Sequence, residues 1–116
     1  MSKQKEEALK LFDRGRYGLA AQLMLPLAEA GDIEVQAALG AIYQNGCDIP
    51  RDLEKAVYWL EKAALGGSGL AAWNLSTLYM TCASDWEINK EKSDMWRKRA
   101  EELGTSPFSA SLIPGT

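Results

Sequence analysis

The chain contains no histidine, which removes the Ser-His-Asp and Cys-His routes to an activated nucleophile and, with them, the commonest metal ligand. A Ser-x-x-Lys string runs from Ser2 to Lys5, but it stands at a terminus that tends to fray and has no companion motif, so it reads as coincidence. Gly66-Gly67-Ser68-Gly69 resembles a phosphate-cradling loop. It lacks the Gly-Lys-Ser/Thr ending and lies between two helical patterns, so a helix C-cap followed by an N-cap is expected there. The carboxylates Asp48, Asp52 and Glu54 do not follow the order of a calcium loop, and Asp52 is expected to cap a helix instead. Cys47 and Cys82 are too few for a zinc site or a disulfide framework and are expected as free thiols. No catalytic residue, metal or cofactor is expected, and the chain reads as a non-enzyme.

Charge and composition narrow the partners. Thirteen Lys+Arg against sixteen Asp+Glu give a net charge of −3, which argues against affinity built on phosphate neutralisation and suits a basic protein partner better than nucleic acid. The densest basic stretch, Lys90, Lys92, Arg97, Lys98 and Arg99, is interleaved with Glu91, Asp94, Glu101 and Glu102, the pattern of a solvated helix face. The longest apolar run, Leu19 to Ala30, is interrupted by Gln22, Pro26 and Glu29 and is too short to span a bilayer. No apolar h-region follows Met1-Ser2-Lys3, so a soluble, cytoplasmic protein is expected. With 116 residues, 47% hydrophobic and 25% charged, there is material for one globular domain.

What must position any functional residue is a repeat. Leu39-Gly40-Ala41-Ile42-Tyr43 returns as Leu75-Ser76-Thr77-Leu78-Tyr79, 36 residues on, and the same shift carries Gly31 to Gly67 and Val35 to Ala71. Lys55, Trp59, Ala63 and Gly67 match Lys92, Trp96, Ala100 and Gly104 at 37, which places one extra residue in the loop between Tyr79 and Lys92. Within each unit the apolar spacing is helical. Val35, Ala38, Leu39, Ile42 and Tyr43 follow the cap Asp32 and precede Gly46; Ala56, Trp59, Leu60, Ala63 and Ala64 follow Asp52 and precede Gly66-Gly67. Ala71, Leu75, Leu78, Tyr79 and Cys82 form the next helical stripe. Ser93, Trp96, Ala100 and Leu103 follow the cap Asn89.

A divergent unit lies upstream, with Ala8, Leu9, Leu11 and Phe12 on one helix, Gly15 at the turn, and Tyr17, Ala20, Ala21, Met24, Leu27 and Ala28 on the next. Pro26 should kink that second helix or divide it. Six helices in three antiparallel pairs follow: an all-α, right-handed α-solenoid over residues 1–104, with pairs at 2–30, 31–66 and 67–104. Residues 105–116 carry two prolines and no charge and form a C-terminal tail, whose Phe108, Leu112 and Ile113 are expected to fold back over the last pair.

The run Ala38-Leu39-Gly40, Tyr43, Gly46, Asp52, Lys55-Ala56, Tyr58-Trp59, Lys62-Ala63-Ala64 and Gly66 resembles the Sel-one-like repeat, a relative of the tetratricopeptide repeat. A degenerate copy keeps Leu75, Tyr79, Lys92, Trp96, Lys98 and Ala100, with Ser76 where the pattern has Gly and Lys92-Ser93 where it has Lys-Ala. The resemblance implies an adaptor or scaffold that binds a protein, or an immunity or inhibitor protein that neutralises a toxin or secreted effector.

In such stacks the first helix of each pair lines the inner face. Register assigns to that face Glu34, Ala37, Ala41, Gln44 and Asn45 in one unit, and Leu70, Trp73, Thr77, Met80 and Thr81 in the next. Trp73 and Met80 are expected as the apolar centre of a partner site, Trp being enriched at interface hot spots, with Glu34, Gln44, Asn45 and Asp13 as its polar rim.

Overall fold

A computed structural model describes residues 3–46, 48–81 and 87–104. Six α-helices account for most of them, and no strand occurs among the described residues: α1 (Lys3–Asp13), α2 (Tyr17–Glu29), α3 (Ile33–Asn45), α4 (Leu53–Leu65), α5 (Gly69–Tyr79) and α6 (Lys90–Glu102). The proposed cap residues act as such. Asp32, Asp52 and Asn89 accept from the N–H groups of Val35, Lys55 and Lys92 at 3.1, 3.0 and 3.0 Å, and Ser68 does the same for Ala71 at 3.1 Å.

Two kinds of connection alternate. After α1, α2 and α4 the chain turns through a glycine at positive φ, Gly15, Gly31 or Gly67. In the last two turns, Gly31 and Gly67 donate to Ala28 and Ala64, while Asp32 and Ser68 donate to Leu27 and Ala63. This double bond pattern satisfies the last carbonyls of one helix and delivers the chain straight to the cap of the next. The α3–α4 and α5–α6 connections are longer, and both are closed by one backbone bond, from Asp52 N–H to Tyr43 O (3.0 Å) and from Asn89 N–H to Tyr79 O (2.7 Å).

The helices pack in sequence, α1 on α2, α2 on α3, α3 on α4 and so on, with α3 also touching α5. Two layers of core result. Ala8, Phe12, Ala20, Met24, Ala28, Val35, Leu39 and Ile42 fill the first; Leu53, Leu60, Ala71, Leu75, Leu78, Tyr79 and Ala100 fill the second. Each signature tryptophan reaches back one layer: Trp59 of α4 lies in the first and Trp96 of α6 in the second. Large residues close the gaps between hairpins because small ones sit opposite. A Cβ on Gly40 would stand 2.6 Å from Leu60 Cγ, so only glycine permits that approach of α3 to α4.

Pro26 does not divide α2, which runs unbroken from Tyr17 to Glu29. Pro26 and Gln22 are both exposed residues, so the interruption falls on the solvent side of the helix, and the ladder resumes with Ala30 N–H to Pro26 O at 3.0 Å. The expectations for Cys47, Cys82 and the 105–116 tail lie outside the described residues.

Candidate partner-binding surface

Ala37 and Gln44 are seven residues apart on α3 and share a face. That face is not open. Ala37 is 4% exposed within the second core layer, and Gln44 Nε2 donates to the Asn74 carbonyl of α5 at 3.3 Å. Ala41 is 1% exposed in the first layer. The expectation that Ala37 and Ala41 lie on an accessible inner face is therefore corrected: their small side chains allow neighbouring helices to approach, and the approach buries them.

The same register on α5 gives a different result. Trp73 and Met80 stand 36 residues after Ala37 and Gln44, on the flank that α3 turns toward α5, and among the described residues no helix follows α6 to cover it. Trp73 is half-buried against the second layer, Thr77 is exposed, and Met80 is 49% exposed; Leu70 is half-buried at the start of the helix. Thr77 Oγ1 donates to Trp73 O (3.2 Å) and Thr81 Oγ1 to Thr77 O (3.0 Å), so both hydroxyls are engaged by the backbone one turn back. On α6 the positions of the buried Leu60 and Ala64 are taken by exposed Arg97 and Glu101, and Arg97 pairs with Asp94 at 2.9 Å. The end of the stack thus presents an apolar strip on α5 beside a charged ridge on α6.

The remaining rim residues are scattered. Asn45 is exposed, but its Nδ2 donates to Ala41 O at 2.9 Å. Asp13 is exposed at the end of α1, on the first hairpin. Glu34 belongs to a cluster in which Lys5 Nζ of α1 lies 2.9 Å from Asp32 and 3.2 Å from Glu34. Hydrogen bonds to Asp32 and Glu34 raise the Lys5 pKa. Burial pushes the Asp32 carboxyl up, but the bonds from Lys5 and the Val35 N–H outweigh it and hold the group below the usual aspartate value. Burial, then the Glu61 carboxylate, raises the Tyr79 phenol. Asp52, read as a helix cap, caps α4, and Asp48, for which no cap role was expected, accepts at α2, where its Oδ2 takes the Gly18 N–H at 3.3 Å.

Three supporting arrangements escape sequence reasoning. Asp48, at φ 67°, caps a helix 30 residues upstream whose own cap position, Arg16, supplies no side-chain bond. Lys55 and Lys92 lie over the rings of Tyr43 and Tyr79, each 5.4 Å from the centroid. Ser76 and Ser93, two of the departures from the repeat pattern, are buried partners: Ser93 Oγ donates to Ser76 O at 2.8 Å and the hydroxyls are 3.1 Å apart. The signal available for the last two was that both members of each pair recur, or change, together along the repeat.

Residues 33–68 match the family model described as Sel1 repeat. No curated protein and no solved structure matches the chain. The matched span covers α3, the loop after it, α4 and the turn into α5, the unit in which Gly40 meets Leu60 and Asp52 caps α4. Residues 33–68 thus carry a Sel1 repeat, within a chain whose described residues form six helices and no strand, and Sel1 repeats generally mediate protein–protein interaction.

Proposed function

We propose that this protein is a non-catalytic adaptor or scaffold that binds a protein partner through the flank of α5, with Trp73 and Met80 at the centre of the contact and Leu70 and Thr77 beside them. One observation carries the reading: where the preceding unit has Ala37 covered by the next helix, this unit offers a half-buried Trp73 with an exposed Met80 two turns along. A rigid aromatic anchored in the core and a pliable thioether at the surface are residue types that contribute most per contact at interfaces. Glu34, Asn45 and Asp13 lie on other helices, and their part is the acidic and polar setting suited to a basic partner, while Gln44 braces α3 against α5 through the Asn74 carbonyl. The net charge of −3 also favours the narrower form of this reading, an immunity or inhibitor protein directed at a basic toxin or effector. No described helix is long and apolar enough to cross a membrane, and a cytoplasmic site of action is part of the proposal.

The test is affinity capture from the source cells with wild-type and Trp73→Ala proteins as paired baits, followed by titration of whatever the wild type retains. Loss of the Trp73 indole should weaken that complex by about 2 kcal/mol or more, with the helical circular-dichroism spectrum unchanged. Equal retention by both baits contradicts the placement.

A further inference from the structure

The second helices of the three pairs keep one register, 36 residues from α2 to α4 and 37 from α4 to α6, so their outer faces compare position by position. Leu19 corresponds to Lys55 and Lys92, Leu25 to Glu61 and Lys98, and Pro26 to Lys62 and Arg99. All three positions are charged on α4 and α6, and all three are apolar on α2. Leu19 is 45% and Leu25 40% exposed, and Gln22 and Pro26 are exposed beside them. Leu19, Gln22 and Pro26, at i, i+3 and i+7, form one stripe, with half-buried Leu23 along its edge. The stripe is not the seat of a further hairpin, because Lys55, Lys62 and Lys92 stay exposed although a hairpin precedes both α4 and α6. Loss of charge from an exposed helix face is the mark of an interface centre, and a helix apolar on most of its sides is ordinarily covered.

The ends of α2 indicate what covers it. Helices α3, α4 and α6 each carry a glutamate in the first turn, Glu34, Glu54 and Glu91, where the helix dipole favours it. Helix α2 has the reverse: exposed Arg14 and Arg16 precede it and exposed Glu29 ends it. A second α2 laid antiparallel brings its Glu29 beside Arg16 at the start of the first helix, and its Arg16 beside the first Glu29. Each charge then also meets the end of the neighbouring dipole that suits it, twice over by symmetry. The middle of the stripe is self-complementary as well. Pro26 has no N–H to give the Gln22 carbonyl, and the Gln22 side-chain amide of a second copy can donate to it.

We propose that two copies of this protein pair through the outer faces of α2, antiparallel about a twofold axis, with Leu19, Gln22 and Pro26 at the contact. The surface lies on a different hairpin from α5, so each copy keeps the Trp73 flank for its own partner. One 13-residue helix per copy, about 20 Å long, makes a contact smaller than the roughly 1,200–2,000 Å² of a standard interface. The dimer therefore forms and dissociates in the micromolar range.

Sedimentation velocity of the full chain, from low-micromolar to near-millimolar concentration, tests the pairing. The wild type should pass from monomer to dimer. Leu19→Lys/Pro26→Lys gives α2 the lysines that α4 carries at the same positions, and should stay monomeric throughout with an unchanged helical circular-dichroism spectrum. Glu29→Arg should weaken the dimer several-fold, while melting of the dilute monomer is unchanged or higher because the substitution suits the dipole of its own helix. A wild type that remains monomeric overturns the proposal, in favour of another protein as the cover; so does a dimer that survives the double substitution. A dimer that Glu29→Arg leaves intact or tightens also overturns it, because the copies are then not antiparallel. Should the double variant fail to fold, Leu19→Lys alone gives the same comparison. Capture by the Trp73 baits is a separate readout, so the pairing and the partner reading fail independently.

Discussion

The buried hydroxyl pair of Ser76 and Ser93 shows how a departure from a repeat pattern is compensated. In the preceding unit the same positions are Gly40 and Ala56, neither of which carries a hydroxyl. Ser93→Ala alone should cost about 1–3 kcal/mol, because it leaves the Ser76 groups buried without their partner. Ser76→Gly/Ser93→Ala, which recreates the other unit, should cost less than the sum of its single variants. Urea denaturation of the four proteins gives the coupling energy, and additive effects would show that the pair is not a unit. The Asp32 cluster supplies a pH dependence. Its carboxyl is held below the usual value when folded, so its contribution is present above the unfolded aspartate pKa, about 3.9, and is lost as pH falls through the lower folded value. Wild-type stability should therefore fall more steeply below pH ~4 than that of Asp32→Asn, measured by thermal denaturation across the acid range. Caps such as Asp32 and Asp52 are legible in sequence because they act within three residues; the Ser76–Ser93 bond joins two helices and is not.

At the scale of the helices, the structure depends on contacts supplied from outside each element. Helix α2 begins at Arg16 without a side-chain cap, and Asp48 from the α3–α4 loop serves in its place. Asp48 also adopts φ 67°, a region that Asp and Asn tolerate and Ala does not. Asp48→Asn should be nearly neutral. Asp48→Gly should lose only the cap, about 1 kcal/mol, and Asp48→Ala should lose more than Gly, because backbone strain is added. Any other order in chemical denaturation argues against the cap. Gly40→Ala is expected to destabilise by about 1–3 kcal/mol through overpacking against Leu60. The six helices were readable because apolar spacing, caps and glycines agreed at each end. Of the two outcomes expected at Pro26, division of α2 did not follow, because the helix ladder resumes at once beyond the proline, with Ala30 N–H on Pro26 O.

Across the whole molecule, one hairpin is joined to the next by a large residue reaching into the layer behind it. Trp59 lies on α4 but in the core of the first layer. Trp59→Ala should cost about 3–5 kcal/mol, a large part of the stability of a domain this size, seen as a lower melting temperature; near wild-type melting would contradict the stacking scheme. The flank proposed for binding was only half legible. Register placed Trp73, Thr77 and Met80 on one face of α5, where Trp73 is half-buried and the other two are exposed, yet the same rule opened a face on α3 that is closed, because it gives the direction of a side chain and not the distance to the next helix. The alanines at 37 and 41 were the available sign: residues that small on a helix face mark close approach.

Site-directed photo-crosslinking examines that flank without altering its apolar centre. A benzoylphenylalanine placed at exposed Thr77, and separately at exposed Met95 on α6, is irradiated in cells that contain the natural partner. Adducts to another polypeptide from position 77 and none from position 95 are the expected result. Adducts from 95 with none from 77 would show that the partner binds elsewhere.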